Sequence, residues 1–353
     1  MPREDDLAEL AGESELTGSH EQLRRFTAEE LIACEQCLRA NAPTRMGCLY
    51  CGSPLPVTER TAELRRPTLK KLEEWERGIN VILLPRGAGE MQSDAIEEAA
   101  SFLRLDAARL SEIVEARRAL PVARASSVEE AELITKRLGA LGFVVEALSD
   151  ELLAKQPSRA RALAFDDDAL VCFSSFDAAP HRLPWTEISL LVVGRVVTKR
   201  VEVAERRARL SSQSNITDSR ELASDESVLD IYAGEADGEG FRVLAYNFDY
   251  SCLGEGKSLL ARDNFGALVE ALRERAPSAI LDDEYARLRG LLSTAWPPTE
   301  RTESLGLRRE RPGRFATEAA TTFNNETQFT RYARLRLHIT SRGRAGGEGA
   351  RVQ

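Results

Sequence analysis

The chain has 353 residues, of which 42% are apolar and 30% charged, and its formal net charge is -9 at pH 7. These are ordinary values for globular proteins, and the length predicts two or three domains. The negative charge argues against a protein that is held to nucleic acid or anionic lipid by its overall charge. No stretch approaches the ~20 apolar residues that cross a bilayer, and no secretory signal opens the chain. We therefore expect a cytoplasmic protein with reduced cysteines.

The first part of the chain is polar and acidic and contains few large apolar side chains. Such composition cannot bury enough apolar surface to offset the entropy lost on folding. We expect residues 1–29 to form a disordered acidic tail.

Four cysteines follow in two close pairs with the spacing C-x2-C-x10-C-x2-C, namely Cys34, Cys37, Cys48 and Cys51. Each pair makes a tight turn with both thiolates on one side, and two facing turns supply the tetrahedron of sulfur ligands that suits Zn²⁺. Gly52 follows the second pair, where a permissive backbone is useful, whereas Leu38 stands at the matching place after the first. With Pro54 and Leu55, the pattern resembles bacterial zinc ribbons, which implies a structural zinc site within residues 30–56.

Other interpretations of these cysteines remain open at this point. Tetrahedral sulfur ligation also suits iron, as in a rubredoxin-like site, and paired thiols also serve redox chemistry or lie free in a core. Nothing nearby suggests a catalytic zinc. The two remaining cysteines, Cys172 and Cys252, lie inside predicted strands and are interpreted as buried core residues.

After a linker at 57–76, residues 77–150 alternate strand-like and helix-like patterns. The runs Ile79–Leu84 and Phe143–Leu148 are strand-like, and Asp106 and Ser127 are well placed to cap helices. The predicted order is β-α-α-β-α-β, an α+β layer. This segment resembles the C-terminal domain of the ribosomal stalk protein, a recurrent binding module. Its helix hairpin lacks the glycines and lysines with which that family binds translational GTPases, so factor binding is not implied.

Residues 160–277 read as a series of short strands followed by one amphipathic helix. The segment Leu183–Ile188 leads into a long strand, and residues 206–227 are polar enough to predict an exposed loop. The pattern resembles a pleckstrin-homology-type barrel closed by its C-terminal helix. That resemblance implies a surface for peptides, proteins or phosphoinositides; a lipid partner is disfavoured because only Lys199 and Arg200 offer nearby positive charge.

For residues 278–340 we expect one helix and then an extended C-terminal segment, and for 341–353 a disordered tail. Residues 301–353 contain eleven arginines against five acidic residues, a net charge of +6. A basic end of this kind is able to bind phosphate groups.

The sequence therefore predicts a multi-domain α+β protein with a zinc ribbon, a stalk-like domain and a mainly β barrel. No catalytic residues and no organic cofactor site are identified. The leading hypothesis is a zinc-binding intracellular adaptor or regulatory protein that acts through protein partners. The alternative is a zinc-ribbon protein associated with nucleic acid or the ribosome through residues 301–353, and an enzyme with an unrecognised site is a third hypothesis.

Overall fold

The computed structural model describes residues 26–73, 75–87, 91–175, 179–207, 214–234, 238–311 and 314–349. Within them, the backbone alone is described at 205–207, 214–217, 308–311, 314–316 and 345–349. Contacts group the chain into two compact units, Met1–Pro56 and Val57–Gln353. Most of the predicted acidic tail, residues 1–25, lies outside the described residues.

The first unit contains little regular structure. A 3-10 turn at Ala28–Glu30 precedes two short antiparallel strands, β1 (Ile32–Ala33) and β2 (Ala40–Asn41). Its buried apolar cluster consists of Leu55 and the side chains of the cysteine region. So few apolar side chains cannot stabilise a fold of this size without a further source of stability.

The second unit begins with helix α1 (Glu59–Leu64) and continues as an α+β layer. Its elements are β3 (Ile79–Leu83), α2 (Ser93–Leu103), α3 (Ala107–Glu115), β4 (Leu120–Ala125), α4 (Val128–Ala140) and β5 (Val145–Ser149). Strand β3 lies in the centre of the sheet and runs antiparallel to β4 and to β5. The β-α-α-β-α-β order is the predicted one, whereas the likeness to the stalk fold stays a prediction.

Local signals explain where these helices begin. The side chain of Asp106 accepts a hydrogen bond from the backbone of Ala108, and that of Ser127 accepts one from Glu130, so each occupies the N-cap position of its helix. Helix α4 then buries Leu133, Ile134 and Leu138 at helical spacing against the sheet.

A mainly β region follows the short helix α5 (Asp150–Leu153). Its elements are β6 (Ser158–Ala160), β7 (Ala162–Phe165), β8 (Ala169–Phe173), β9 (His181–Pro184), β10 (Ile188–Arg207), β11 (Ser214–Ala233), β12 (Gly240–Leu244), α6 (Ala261–Arg275), β13 (Ile280–Asp282), α7 (Tyr285–Leu292), β14 (Thr299–Arg311), β15 (Arg314–Asn324) and α8 (Glu326–Gly349). The main sheet has the order β14-β15-β10-β11-β12-β6, with β13 parallel to β10. Strands β7, β8 and β9 form a separate sheet. Helix α6 buries Phe265, Leu268 and Leu272 in the core.

The predicted exposed loop at 206–227 is wrong for most of its length. Strand β11 begins at Ser214 and pairs antiparallel with β10, with register shifts between Ile188 and Leu190 and between Ala204 and Glu205. Residues 218–225 of this strand are exposed to solvent, so the sequence there does not alternate between apolar and polar residues. Its polar composition therefore indicated a loop. Cross-strand hydrogen bonds and ion pairs hold it instead, such as Lys199 with Glu221 at 3.0 Å.

The expectations of an extended C-terminal segment up to residue 340 and a disordered tail at 341–353 are also wrong where the chain is described. Strands β14 and β15 occupy most of 299–324, and the single 24-residue helix α8 runs from Glu326 to Gly349. The apolar residues Phe329, Tyr332 and Leu335 recur every three positions, which also fits a helix face. Residues 350–353 lie outside the described residues.

Helix α8 is buried along much of its length, polar residues included, and its partners come from distant segments. The hydroxyl of Tyr332 donates to Asp282 Oδ1 at 2.6 Å, and Arg336 Nε donates to Asp282 Oδ2 at 2.6 Å. The guanidinium of Arg331 lies 3.4 Å from the carboxylate of Asp150. This helix therefore joins the α+β layer and the β region into one unit.

Candidate metal centre

Two similar backbone turns carry the four cysteines. In the first, the N–H of Leu38 donates to the carbonyl of Cys34 at 2.8 Å, and in the second the N–H of Gly52 donates to that of Cys48 at 3.0 Å. Both turns end in the left-handed conformation, with φ of 59° at Leu38 and 76° at Gly52. Glycine adopts it freely, whereas a leucine pays about 1–2 kcal/mol. The turns are therefore alike in backbone despite the departure at Leu38.

Further backbone bonds tie each turn to its own strand. The N–H of Cys34 donates to Arg39 at 3.0 Å, and that of Cys48 donates to Ser53 at 2.8 Å. An additional bond from Leu55 to Met46 at 2.8 Å closes the second hairpin. The two hairpins hold their cysteine side chains toward each other.

The structure brings all four predicted ligands together. The Sγ atoms of Cys34 and Cys51 are 3.6 Å apart, those of Cys37 and Cys48 are 3.5 Å apart, and all four lie within 4.8 Å of one another. A tetrahedral site with metal–sulfur bonds of about 2.3 Å requires sulfur atoms about 3.8 Å apart. A disulfide would require about 2.05 Å. The arrangement therefore fits one metal ion held by four thiolates.

Asn41 supports the cluster and was missed by the sequence reasoning. Its buried side-chain amide donates to Cys48 Sγ at 3.4 Å, while its carbonyl oxygen accepts from the N–H of Leu49 at 2.8 Å. The backbone N–H of Tyr50 also donates to Cys48 Sγ, at 3.4 Å. Such donors partly offset the negative charge on a thiolate and orient it toward a metal. Asn41 is one of four polar residues between the two cysteine pairs, and the sequence does not show which of them is buried.

Without a metal ion, the thiols in this cluster differ strongly in acidity. Burial opposes ionisation of Cys48, but N–H donors from Tyr50, Cys51 and Asn41 outweigh it and lower its pKa to about 6. The backbone donor at Arg39 favours the thiolate of Cys37, yet burial and the neighbouring thiols raise its pKa to about 11. Four sulfur atoms this close do not all become anionic without a cation between them. A divalent ion would supply that missing charge.

With four protein thiolates the coordination shell is closed. A closed tetrahedron leaves no position for water or substrate, so the site suits a structural ion and not a catalytic one. Sulfur ligation of this geometry is compatible with zinc and also with iron.

The other two cysteines lie apart from this cluster. Cys172 is buried in β8, and burial raises its pKa to about 12, which agrees with the predicted core role. Cys252 lies in a 3-10 segment, Tyr250–Gly256, and not in a strand; burial raises its pKa to about 11. Both thiols are therefore protonated and poorly nucleophilic near neutral pH.

Three large side chains on the metal-binding turns face the solvent. Leu38 is 80% exposed, Leu49 65% and Tyr50 53%. The guanidinium of Arg39 lies 4.8 Å from the centroid of the Tyr50 ring, a cation–π distance. We call Leu38, Leu49 and Tyr50 the knuckle surface. Large exposed apolar side chains grouped together are typical of interaction surfaces.

Comparison with known protein families, curated proteins and solved structures finds nothing that matches the chain. Among the helices of the described ranges, none combines the length and apolar character needed to cross a bilayer.

Proposed function

We propose that the chain is a zinc-stabilised adaptor protein that binds a protein partner through the knuckle surface. The observation that carries the proposal is the closed cluster of four Sγ atoms, within 4.8 Å of one another, beside exposed apolar side chains. Zinc is the favoured ion because it takes four thiolates in a tetrahedron and has no redox chemistry that would disturb a structural site. A site of four thiolates requires reduced cysteines, so we place the protein in the cytoplasm.

In this proposal the metal stabilises the fold of the two cysteine turns, and the partner binds the knuckle surface that these turns carry. The turns at Leu38 and Leu49 have little core beneath them, so their geometry depends on the sulfur cluster. Leucine and tyrosine side chains held rigidly outward bury area in a partner at low entropic cost. The likeness of residues 77–150 to the stalk domain and of 160–277 to a pleckstrin-homology barrel belongs to the same proposal, since both folds are recurrent binding modules.

The test combines metal analysis with partner capture. We expect one zinc per chain in the purified protein and loss of the metal in the variant Cys34→Ser/Cys48→Ser. For capture, the intact protein is compared with this variant, with Leu38→Ser/Leu49→Ser, and with Leu259→Ser/Leu260→Ser as the control. The control removes two exposed leucines from the second unit.

The expected result is a partner retained by the intact protein and by the control but lost by the other two variants. Iron in place of zinc would overturn the metal assignment, and capture of the same partners by all four proteins would overturn the role of the knuckle surface.

A second candidate function, association with nucleic acid, was predicted for residues 301–353. The arginines of α8 do not support it in the predicted form, because several are engaged inside the second unit, Arg331 with Asp150 and Arg336 with Asp282 among them.

A further inference from the structure

Strand β5 forms an open edge of the three-stranded sheet. The sheet order is β4-β3-β5, and β5 pairs with β3 alone in the described part of the chain. Two backbone bonds show which residues face β3: the N–H of Leu84 donates to the carbonyl of Val144 at 2.8 Å, and that of Asp150 donates to Gly78 at 3.0 Å. Because backbone groups alternate along an antiparallel pair, every second residue from Val144 to Asp150 turns its N–H and C=O toward β3.

The residues in between turn their N–H and C=O groups away from the sheet. They are Val145, Ala147 and Ser149, and no protein partner of these outward groups occurs within the described ranges. Ala147 and Ser149 are exposed to solvent. A row of outward donors and acceptors at alternate residues is the template to which a further strand adds.

The opposite edge of the same sheet is protected. Strand β4 is buried except for the half-buried Arg124, and it contains Pro121, whose nitrogen carries no hydrogen to donate. Proline, charge and burial are the usual means by which proteins protect an edge strand. Strand β5 contains no proline, and its one charged residue, Glu146, is bound to His338 of α8 at 3.0 Å. The exposed β5 edge is therefore the exception in this sheet.

A groove of about 410 Å³ lies between this edge and helix α4. Ala147 and Ser149 line it on the strand side, and Val128, Ala131 and Thr135 line it on the helix side. The three helix residues are spaced by three and four positions, so they share one face of α4. We call this space the β5 groove. A strand added to β5 lies about 4.8 Å from it, which brings alternate side chains of that strand into the groove.

A negative charge at the rim of the groove has no cationic partner. Glu132 lines the groove and is exposed, and none of the described arginines and lysines forms an ion pair with it. Lys136 lies one turn further along α4, but its ammonium donates to the carbonyl oxygen of Val57. The rim is therefore complementary to a positively charged side chain.

We propose that the β5 groove binds an extended peptide segment of a partner protein, which adds to the sheet as a fourth strand. Backbone hydrogen bonds to Val145, Ala147 and Ser149 supply the affinity, and alternate apolar side chains of the peptide fill the groove. A lysine or arginine of the peptide lies beside Glu132. The site consists only of residues of the second unit, so it is independent of the metal centre and of the knuckle surface.

The probe is a phage-displayed library of random heptapeptides selected on the intact protein. The selected peptides are synthesised, and their affinities are measured by fluorescence anisotropy. We expect sequences with apolar residues at alternate positions and at least one lysine or arginine. Each peptide is also made with N-methyl groups on its odd or on its even residues. Because an N-methyl group removes a donor and blocks one edge of the peptide, one of the two patterns should lose ~10-fold or more in affinity and the other should bind as before.

Protein variants locate the site. Ala147→Pro removes an outward N–H that the sheet does not use, so it should leave the fold intact and weaken peptide binding by ~10-fold. Val128→Lys places a long charged side chain in the groove and should abolish binding. Its control is Val144→Lys, because Val144 is 46% exposed against 56% for Val128 but does not line the groove. Thermal unfolding checks that each variant is folded.

The charge at the rim is tested by a double-mutant cycle. Glu132→Gln should weaken the selected peptides but should have no effect on the same peptides with their lysine or arginine replaced by glutamine. Equal losses for both sets of peptides would remove Glu132 from the site.

Four results would overturn the proposal: no selected peptide that binds better than an unselected one, equal effects of the two N-methyl patterns, full binding by Ala147→Pro, or equal losses in Val128→Lys and Val144→Lys. Binding that is lost in Leu38→Ser/Leu49→Ser and kept in Ala147→Pro would assign the peptides to the knuckle surface instead. We expect the Cys34→Ser/Cys48→Ser variant to keep full affinity, so this proposal and that of the metal centre fail separately.

Discussion

The cysteine cluster of the first unit and the interior around helix α8 both bring ionisable side chains close together, but they balance charge by different means. In the first unit, the sulfur atoms of four cysteines face one another, and the cation that would neutralise them has to come from solution. In the second, the chain itself supplies arginines to buried carboxylates; Arg242, for example, donates to Asp230 at 2.7 and 2.8 Å. The first unit should therefore depend on an external ion and the second on its own sequence.

The largest expected effect is metal removal. A chelator should unfold residues 27–56, because zinc binding to such sites contributes about 10–16 kcal/mol in apparent free energy. Amide NMR spectra should show these residues losing dispersion while the second unit keeps its pattern. The variant Cys172→Ala/Cys252→Ala serves as control and should retain metal. If the amide signals of residues 27–56 kept their chemical-shift dispersion without metal, the first unit would not depend on an external ion.

Breaking the ion pair between Asp230 and Arg242 should come next. Burial opposes the charge on Arg242, but Asp230 outweighs it and raises the pKa of the guanidinium. Arg242→Met leaves the Asp230 carboxylate buried without its cation, which should cost about 3–5 kcal/mol in urea unfolding. The double variant Asp230→Leu/Arg242→Met, which removes both charges, should lose less. If the double variant loses as much free energy of unfolding as Asp230→Leu and Arg242→Met lose together, the two side chains are not energetically coupled.

Asp150 should make the second unit sensitive to acid. Burial opposes its charge, yet hydrogen bonds from Arg124 and Asn80 and the charge of Arg331 outweigh burial and lower the pKa of Asp150. A carboxyl with a lower pKa in the folded state stabilises the fold above its unfolded pKa of about 3.9, and that stability is lost as pH falls below this value.

The matched change is Asp150→Asn. It should cost about 2–3 kcal/mol at pH 7, since a hydrogen bond to a charged group is lost, and should flatten the fall of stability below about pH 4. Asp167→Asn, at an exposed turn, is the control. Parallel pH curves for Asp150→Asn and the intact protein would contradict this role.

The smallest effect is expected where a carboxylate keeps a second partner. Tyr332→Phe removes the hydroxyl that donates to Asp282, but Arg336 still contacts this carboxylate at 2.6 Å. The expected loss is about 1 kcal/mol. Tyr246→Phe, which removes an exposed hydroxyl, should change the free energy of unfolding by less than about 0.5 kcal/mol. A loss as large as that of Arg242→Met would mean that Asp282 depends on Tyr332 more than the geometry indicates.

The cysteine cluster was predictable because the residues that form it are close together in the sequence. Four cysteines within 18 residues determine their own geometry through two similar turns, and the spacing indicates the ligand set. Asn41 was not predictable, because its role depends on the position of Leu49 and Cys48 in the folded turn. Element order in the α+β layer was also predictable, since caps and apolar periodicity are read over a few residues.

The polar part of the β10–β11 hairpin and helix α8 were not predicted, each for a different reason. Residues 214–227 form strand, and within it residues 218–225 are all exposed, so no apolar periodicity marks that part of the strand. Helix α8 buries arginines that are far in sequence from their carboxylate partners; Arg331 is separated from Asp150 by most of the second unit. From the sequence alone, these arginines therefore indicated a basic end able to bind phosphate and not the buried face of a helix.

The position of α8 has a consequence for biosynthesis. During translation, Asp150 and Asp282 leave the ribosome well before the helix that contains Arg331 and Arg336. Until then these carboxylates lack part of their native neutralisation, and the segments that carry them remain open to water. Final docking of the second unit therefore waits for α8, so the nascent chain stays incompletely closed during synthesis, a state that exposes apolar surface.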